Sequence, residues 1–445
     1  MREKEFLPLI EEKLGITELN PMQKKMMMQA SESRDIILLS PTGSGKTLAF
    51  ILPVLKLLRP SSGRVQVVVI APSRELVIQI SKIINSIAPG FKVTSLYGGH
   101  KVEDEVNSLS AGTDIVVATP GRILDHINRR NIDVLPTRIL VLDEFDKSLE
   151  LGFEKEMKKI MDRLKNVSRI ILTSATDSEV LPDFIRLKDP AKINYLQGNS
   201  ELKRRLRVHK VDSDANDKLK TLASLLDEIK GDGPWERAII FVNHRESAER
   251  VSQFLRRAGY PSVLYHGALD QQQRETAVAT FNNGTYPILV ATDLAARGLD
   301  IEDVKSVIHY HQALTPENYT HRNGRTARVD KEGDVYVIIG AEEDVKPFVD
   351  FDDTRYVSGH YTDNPEGSGY ATLRISAGKK EKLSKGDVAG FLIKEGGADV
   401  KRLGKIDVYD HYALAAIPQE ETEIIMKNIK GKKIKGEKRL VSLVR

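Results

Sequence analysis

Residues 40–47 read Ser-Pro-Thr-Gly-Ser-Gly-Lys-Thr, directly after the apolar run Ile36–Leu39 and just before a stretch of helical periodicity. A strand that turns through glycines into a helix aims successive backbone N–H groups at an anion. In such a loop, here Thr42, Gly43, Ser44, Gly45, Lys46 and Thr47, the glycines let the backbone curl inward, the lysine ammonium reaches the β- and γ-phosphates, and the Thr47 hydroxyl ligates magnesium. Ser40 stands where the generic pattern has glycine. A second element, Ile139–Asp146 (ILVLDEFD), reads as a buried strand delivering Asp143 and Glu144 at its carboxyl end, where open α/β sheets place ligands. Asp143 would orient the Mg²⁺ shell and Glu144 would polarise an attacking water as general base. Glycine clusters are usually turns and acidic strand ends are usually solvated. Together, the two elements predict a site for a nucleoside triphosphate with magnesium.

The elements that must position these groups follow an alternating rhythm. Short β-rich runs at Ile36–Leu39, Val65–Ile70, Ile115–Ala118, Ile139–Leu142 and Ile170–Thr173 are separated by helical stretches, the pattern of βαβ units around a parallel sheet. The rhythm breaks near Gln197, passes through the charged segment GNSELKRRLRVHK, read as a polar linker, and restarts with Ala238–Val242, Val263–Tyr265, Ile288–Ala291, Val307–Tyr310 and Val335–Ile339. Asp350–Tyr370 is crowded with Asp, Gly, Ser, Thr and Asn and reads as a loop or tether. Beyond it, TLRIS, KIDVYD and YALAAI alternate with two helical patterns, an α+β layout. The expected fold class is α/β, with domains at 1–198 and 199–348, a linker at 349–370 and a small α+β domain at 371–445.

With 445 residues, 40% apolar and 29% charged, the composition is that of a folded globular protein of about three domains. The absence of cysteine excludes disulfides and thiolate metal sites and agrees with a reducing compartment, so the cytoplasm is the expected location. Glu3 and Glu5 occupy the place where a secretory signal carries its positive charge, and no apolar run of membrane-spanning length is present. The net charge of +4 is unevenly spread: residues 371–445 hold 17 Lys+Arg against 10 Asp+Glu. A basic terminal module on a near-neutral body points to a polyanionic partner.

Further motifs arrive in a fixed order: APSREL at 71–76, Gly98-Gly99, TPGR at 119–122 and SAT at 174–176. With these, the chain resembles the DEAD-box RNA helicase family over both α/β domains. Upstream, PMQ at 21–23, with Phe6 seventeen residues before Gln23, looks like the family's adenine-reading Q motif. A carboxamide can pair with the adenine N6/N7 edge while an aromatic ring stacks on the base, so the resemblance implies ATP. The family has alanine at the third position of DEAD, whereas here Phe145 gives DEFD, a departure that bears on coupling rather than on the carboxylates themselves.

In the second domain IIFVN (239–243), HGALDQQQR (266–274), ATDLAARGLD (291–300) and HRNGRTAR (321–328) resemble the family's motifs IV to VI. The match implies tandem RecA-like domains, parallel sheets flanked by helices. It makes Arg325 and Arg328 arginine fingers for the γ-phosphate, and puts Gly298 and Asp300 against the ribose. A planar guanidinium suits that task because it holds two phosphoryl oxygens at once. The resemblance also implies RNA contacts from Arg74, Gly98, Gly99, Thr119, Gly121, Arg122, Gln271, Arg274 and Thr292, on the face opposite most of the nucleotide chemistry. Such residues hold phosphates without reading sequence.

Residues 371–445 resemble the RNA-binding domain that ends DbpA-type bacterial DEAD-box proteins, with a β-α-β-β-α-β order that implies an RRM-like fold. Tyr412 fits an aromatic position of the RRM platform, but Leu373, Ile375, Leu414 and Ile417 occupy its other ring positions, so phosphate contact by basic residues, above all Lys430, Lys432, Lys433 and Lys435, is the expected mode rather than base stacking. The resemblance implies a ribosomal RNA hairpin as partner and large-subunit assembly as the setting, with a general RNA chaperone or a slowly turning RNA clamp as alternatives. A monomer is expected, with neither DNA nor membrane as partner.

Overall fold

The computed structural model describes residues 3–32, 35–41, 44–99, 101–176, 181–196, 205–214, 217–293, 301, 304–327 and 332–444. Thr42, Gly43, Gly298, Asp300 and Arg328 of the expected site lie outside them. The described residues fall into two compact units, up to residue 196 and from residue 205.

The first unit is built on β1 (Asp35–Leu39), β2 (Val67–Ile70), β3 (Val93–Leu96), β4 (Ile115–Ala118), β5 (Ile139–Leu142), β6 (Arg169–Ser174) and β7 (Pro190–Asn194). They form one parallel sheet in the order β3-β4-β2-β5-β6-β1-β7. Strands such as VVVI, IVVA and ILVL are apolar at every position because helices cover both faces. One face packs Val67, Val69, Val117 and Val141 with Phe50 and Ile80, the other Val68, Val116, Leu140 and Leu142 with Ile123 and Ile160. Each such fully buried aliphatic side chain contributes about 1.5–3 kcal/mol.

The second unit repeats the plan with β8 (Leu206–Asp212), β9 (Ala238–Phe241), β10 (Ser262–Tyr265), β11 (Ile288–Ala291), β12 (Ser306–His309), β13 (Gly333–Ile339) and β14 (Asp353–Arg355), ordered β10-β11-β9-β12-β13-β8-β14 and again parallel. Two expectations are corrected here. The RRLRVHK part of the supposed polar linker is mostly β8, an internal strand whose Val208, Lys210 and Asp212 are less buried than His209 and Val211. The supposed tether between 350 and 370 contributes β14 and is then strapped along the same unit. Trp235 Nε1 donates to the Glu366 carbonyl (2.7 Å), Asn364 N to Ala258 O (2.9 Å), Thr362 N to Asp227 (2.6 Å), and Ser368 Oγ to Thr285 O (2.7 Å). A polar composition signals an exposed path, not a loose one.

The same unit carries the terminal module: β15 (Tyr370–Ile375), β16 (Ile406–Val408), β17 (Ala413–Pro418) and β20 (Val441–Leu443) in an antiparallel sheet ordered β16-β17-β15-β20, with a small β18 (Lys433–Ile434) and β19 (Glu437–Lys438) hairpin. Helices Lys385–Lys394 and Thr422–Ile429 pack on one face through Leu373, Ile375, Val388, Leu392, Ala415, Ile417 and Ile425. The β-α-β-β-α-β order is therefore present, and the first helix begins with a capping box between Ser384 and Asp387.

Candidate functional site

The loop after β1 leads into the helix Lys46–Leu57, which is N-capped by Gly45 at φ +87°. A Cβ at Gly45 would meet Gln23 Nε2 at 2.8 Å, the end of a side chain that can shift aside, so it is the positive φ that demands glycine. Lys46 Nζ, nearly buried, donates to Ser40 O (2.8 Å), while Ser44 Oγ donates to Pro41 O (2.8 Å). Thr47 is half-buried on the first helical turn. Gln23 is drawn onto this loop through Gly45 O (3.4 Å), and its Oε1 accepts from Asn20 N (3.0 Å). Asn20 in turn donates to Ser44 O (3.1 Å) and accepts from Gln23 N (2.8 Å). Sequence reasoning missed Asn20, although its position three residues before Gln23 is helix-capping spacing.

Phe6 behaves differently from expectation. It is 0% exposed, packed with Ile10, Met22, Met26 and Phe50. On the helix Glu3–Leu14 the i,i+4 pair Phe6 and Ile10 forms the buried stripe, so the ring anchors that helix and presents no open face to a base.

The carboxylates arrive from β5. Thr173 Oγ1 donates to Asp143 Oδ1 (2.6 Å) and accepts from Glu144 N (3.2 Å). Glu144 sits at φ +45°, a left-handed conformation that costs a non-glycine residue about 1–3 kcal/mol and is concentrated at functional sites. Burial pushes the Asp143 carboxyl above the usual carboxylate range, against the Thr173 hydrogen bond and the Lys46 charge. A buried carboxylate facing an ammonium, with a hydroxyl on the adjoining helix, suits Mg²⁺ held by one protein carboxylate and the phosphates it accompanies. Among the described residues no group of three or more His, Cys, Asp or Glu could cage a metal. Asp146 links this set to β6 by accepting from Ala175 N (3.2 Å) and Thr176 Oγ1 (3.0 Å).

The RNA set expected in the first unit is brought together at the ends of β2, β3 and β4. Arg74 donates to Gly98 O (3.0 Å), and Gly99 takes φ +105° with Arg74 packed where a Cβ would stand. Thr119 N bonds Leu96 O (3.0 Å) and precedes the helix holding Gly121 and Arg122. Arg122 Nε donates to the buried Glu105 (2.5 Å), which also meets His126 Nε2 (2.7 Å) and accepts from Tyr97 N (3.0 Å). In an all-parallel sheet every loop that follows a strand emerges at one edge, so the two sets lie side by side, nucleotide groups at β1, β5 and β6 and the rest at β2–β4.

In the second unit Arg325 is buried just after the helix Pro316–Asn323. A second residue that sequence reasoning missed is Arg322, at 0% exposure one of the largest fully buried side chains among the described residues. It bonds Asp293 (2.5 Å), Asn243 Oδ1 (2.7 Å) and His311 O (2.8 Å) and lies over the Phe241 ring at 5.2 Å. His309, beside it, is pushed down to about 3 by burial and then by the Arg322 charge, so it stays neutral at physiological pH. The signal available in the sequence was its place three residues before Arg325 within HRNGRTAR. Arg322→Ala is expected to cost roughly 3–5 kcal/mol of folding stability by stranding Asp293, a loss measurable by urea denaturation. Equal stability in the variant would show that this network is decorative. Arg274 is also buried, donating to Gly267 O (2.5 Å) and Leu269 O (3.1 Å), while Thr292 N reaches Tyr265 O at 3.4 Å. Gln271, Arg274 and Thr292 thus cluster at the ends of β10 and β11.

Comparison with known proteins agrees with this geometry. Family models described as DEAD/DEAH box helicase, Helicase conserved C-terminal domain and DbpA RNA binding domain match residues 20–184, 217–330 and 372–443. The chain is 36% identical over 332 residues to DEAD-box ATP-dependent RNA helicase 30 of Arabidopsis thaliana, covering 72% of this chain and 55% of that protein. It is 35% identical over 327 residues to the DEAD-box ATP-dependent RNA helicase RhpA of Helicobacter pylori, covering 72% and 64%. The chain belongs to the DEAD-box family. It spans little more than half, and in each case under two thirds, of these relatives' own length. Among solved structures it is similar to Mss116p bound to ssRNA and AMP-PNP, with TM-score 0.69, 27% identity and coverage of 77% of this chain and 73% of that one. Dbp5 of S. cerevisiae bound to RNA and ADP BeF3 gives TM-score 0.68 at 22% identity, covering 80% and 94%, a likeness of fold alone.

Against the DEAD-box spelling, Phe145 is absorbed by the core. Its ring is buried with Leu142, Met157, Ile160 and Leu172, and the Asp146 links to Ala175 and Thr176 form regardless. The bulkier ring at this position is thus accommodated by packing. No described helix is long and apolar enough to cross a membrane. In the terminal module, the four lysines singled out are all exposed, but Lys432 pairs with Glu395 (3.1 Å) and Lys435 with Asp387 (2.9 Å). Tyr412 is 7% exposed, its ring covered within the second unit, so it is no open stacking platform.

Proposed function

We propose that this DEAD-box protein is an ATP-dependent RNA helicase that locally remodels structured RNA, with its terminal module directing it to ribosomal RNA during large-subunit assembly. The observation that carries the reading is the convergence of Lys46, Asp143, Glu144 and the Asp146–Thr176 link at neighbouring strand ends beside a glycine-built anion loop. Bound Mg²⁺ would neutralise phosphate charge. The chain's own groups do the rest: Lys46 moves from Ser40 O to phosphate oxygens, Glu144 orients a water and takes its proton, and Asp146 reports the state of the site to Ala175 and Thr176. Arg325, with Arg328, stabilises the transferring phosphoryl group, and Gln23 selects adenine.

Arg74, Gly98, Gly99, Thr119, Gly121 and Arg122 in one unit and Gln271, Arg274 and Thr292 in the other hold the RNA backbone. Gly298 and Asp300 would serve the ribose. Exposed Lys430 and Lys433, and Lys432 and Lys435 once they exchange their carboxylates for phosphates, supply the module's RNA contacts. The reading is supported by the RNA-bound state of the similar Mss116p structure and by the DbpA RNA binding domain match, and it places the protein in the cytoplasm as a monomer.

Phosphate release measured with the full chain tests both levels. ATP turnover should rise with any RNA, and half-maximal stimulation should need at least ~10-fold less of a large-subunit ribosomal hairpin than of an unrelated hairpin of equal length. Equal response to the two hairpins would remove the ribosomal assignment while leaving the helicase reading. No stimulation by either would remove both.

A further inference from the structure

The open face of the module's sheet, the face that RNA recognition motifs commonly offer to bases, is spent on protein. Its Thr372, Arg374, Tyr412 and Leu414 pack against the helix Gln271–Asn282 and the turn after it. Tyr412, Leu414 and Ala279 form an apolar contact, and Thr372 Oγ1 lies 2.9 Å from Asn283 Nδ2 and 2.7 Å from Thr285 Oγ1, all buried. The Arg374 guanidinium lies 4.6 Å from the Tyr412 ring centre and donates to the Gln272 side-chain oxygen. Tyr409 stacks on Tyr412 at 4.6 Å.

At the centre of this contact is Glu275. One carboxylate oxygen accepts from the Tyr412 hydroxyl (2.6 Å), the other from Gln271 Nε2 (3.0 Å). Gln271 Oε1 is buried without a hydrogen-bond partner, so among the described residues the Glu275 bond alone orients this amide. Helix spacing makes the arrangement possible. Gln271 and Glu275 are an i,i+4 pair on one side of the helix, and Gln272, Glu275 and Ala279 form the adjacent stripe that meets the module.

We propose that Tyr412 is a positioning residue for RNA engagement by the second ATPase unit, acting through Glu275 on Gln271. The module is then more than an RNA-capturing appendage: its docked sheet face sets the orientation of an amide on the helicase's own RNA path. The inference rests on the reading of Gln271 as an RNA contact. Charge-assisted hydrogen bonds of this kind hold both partners in direction, so without the Tyr412 hydroxyl the Glu275 carboxylate, and through it the Gln271 amide, would be less firmly oriented.

The test is ATP turnover of the full chain stimulated by a single-stranded oligoribonucleotide without a hairpin, which leaves hairpin capture by the module out of the measurement. Tyr412→Phe keeps the ring under Arg374 and removes only the hydroxyl. It is expected to raise the oligoribonucleotide concentration for half-maximal stimulation by roughly 5-fold, with unstimulated hydrolysis and ATP-free binding of a ribosomal hairpin unchanged. Gln271→Ala should give a similar shift, and the double variant no more than either single one, because both break one relay. If Gln271→Ala shifts stimulation and Tyr412→Phe does not, or the two shifts multiply, the relay is overturned while the RNA role of Gln271 stands. If Gln271→Ala has no effect, the RNA reading of Gln271 fails and takes the relay with it.

Discussion

Arg325→Ala is expected to leave ATP affinity in the absence of RNA within a few-fold of the parent and to lower RNA-stimulated hydrolysis by ~10³-fold or more. An arginine that acts on the charge of a transferring phosphoryl group contributes in the transition state and little to ground-state binding, so its loss falls on turnover rather than on affinity. The fold supports this division of labour. Arg322 fastens the helix Pro316–Asn323 through Asp293, Asn243 and His311, and Arg325 N bonds Arg322 O at 3.1 Å, so the arginine is presented from a rigid base. Fluorescent-nucleotide binding and phosphate release on the same preparation decide the matter. A normal stimulated rate would show Arg325 to be structural, and a matching fall in stability would merge its role with that of Arg322.

Glu144→Gln is expected to reduce turnover by on the order of 100-fold or more while ATP binding persists. The substitution keeps size and hydrogen-bonding reach but removes the proton-accepting carboxylate that the strained turn presents at this point. The backbone at φ +45° and the Glu144 N bond to Thr173 Oγ1 do not depend on the side-chain charge, so the turn should survive. A single-turnover measurement with saturating RNA reads the chemical step directly. Hydrolysis within a few-fold of the parent would move the base function away from Glu144.

Phe145 bears on how such variants are interpreted. Because its ring fills the core between β5, β6 and the helix Glu154–Arg163, restoring alanine there would leave a cavity, and a loss of stability has to be separated from any change in RNA stimulation.

The chemistry of the first unit was legible in the chain because it is local. Lys46 and Thr47 follow Gly45 directly, Asp143 and Glu144 end an apolar strand, and alternation of strands with helices specifies a parallel sheet whose loops share an edge. Fixed spacing along the backbone therefore carries the anion loop and the carboxylates, and Gln23, proposed above to select adenine, was singled out by resemblance to the family's motif. What the chain alone could not give depends on partners far away in sequence. β8 looked like a linker because Arg207, Lys210 and Asp212 among its less-buried positions carry charge, yet its pairing with β13 buries His209 and Val211. Phe6 looked like a stacking ring until packing placed it in the core. Arg322 and Arg325 are indistinguishable as letters, and only the convergence of Asn243, Asp293 and His311 makes the first a core tie. Tyr412 occupied the position of a base-stacking residue, and its hydroxyl meets Glu275 instead, 137 residues away. Local spacing determines which groups a backbone turn can present together. Whether a given side chain faces ligand, solvent or another element is decided by which surfaces are left to bury once the sheets and helices have packed.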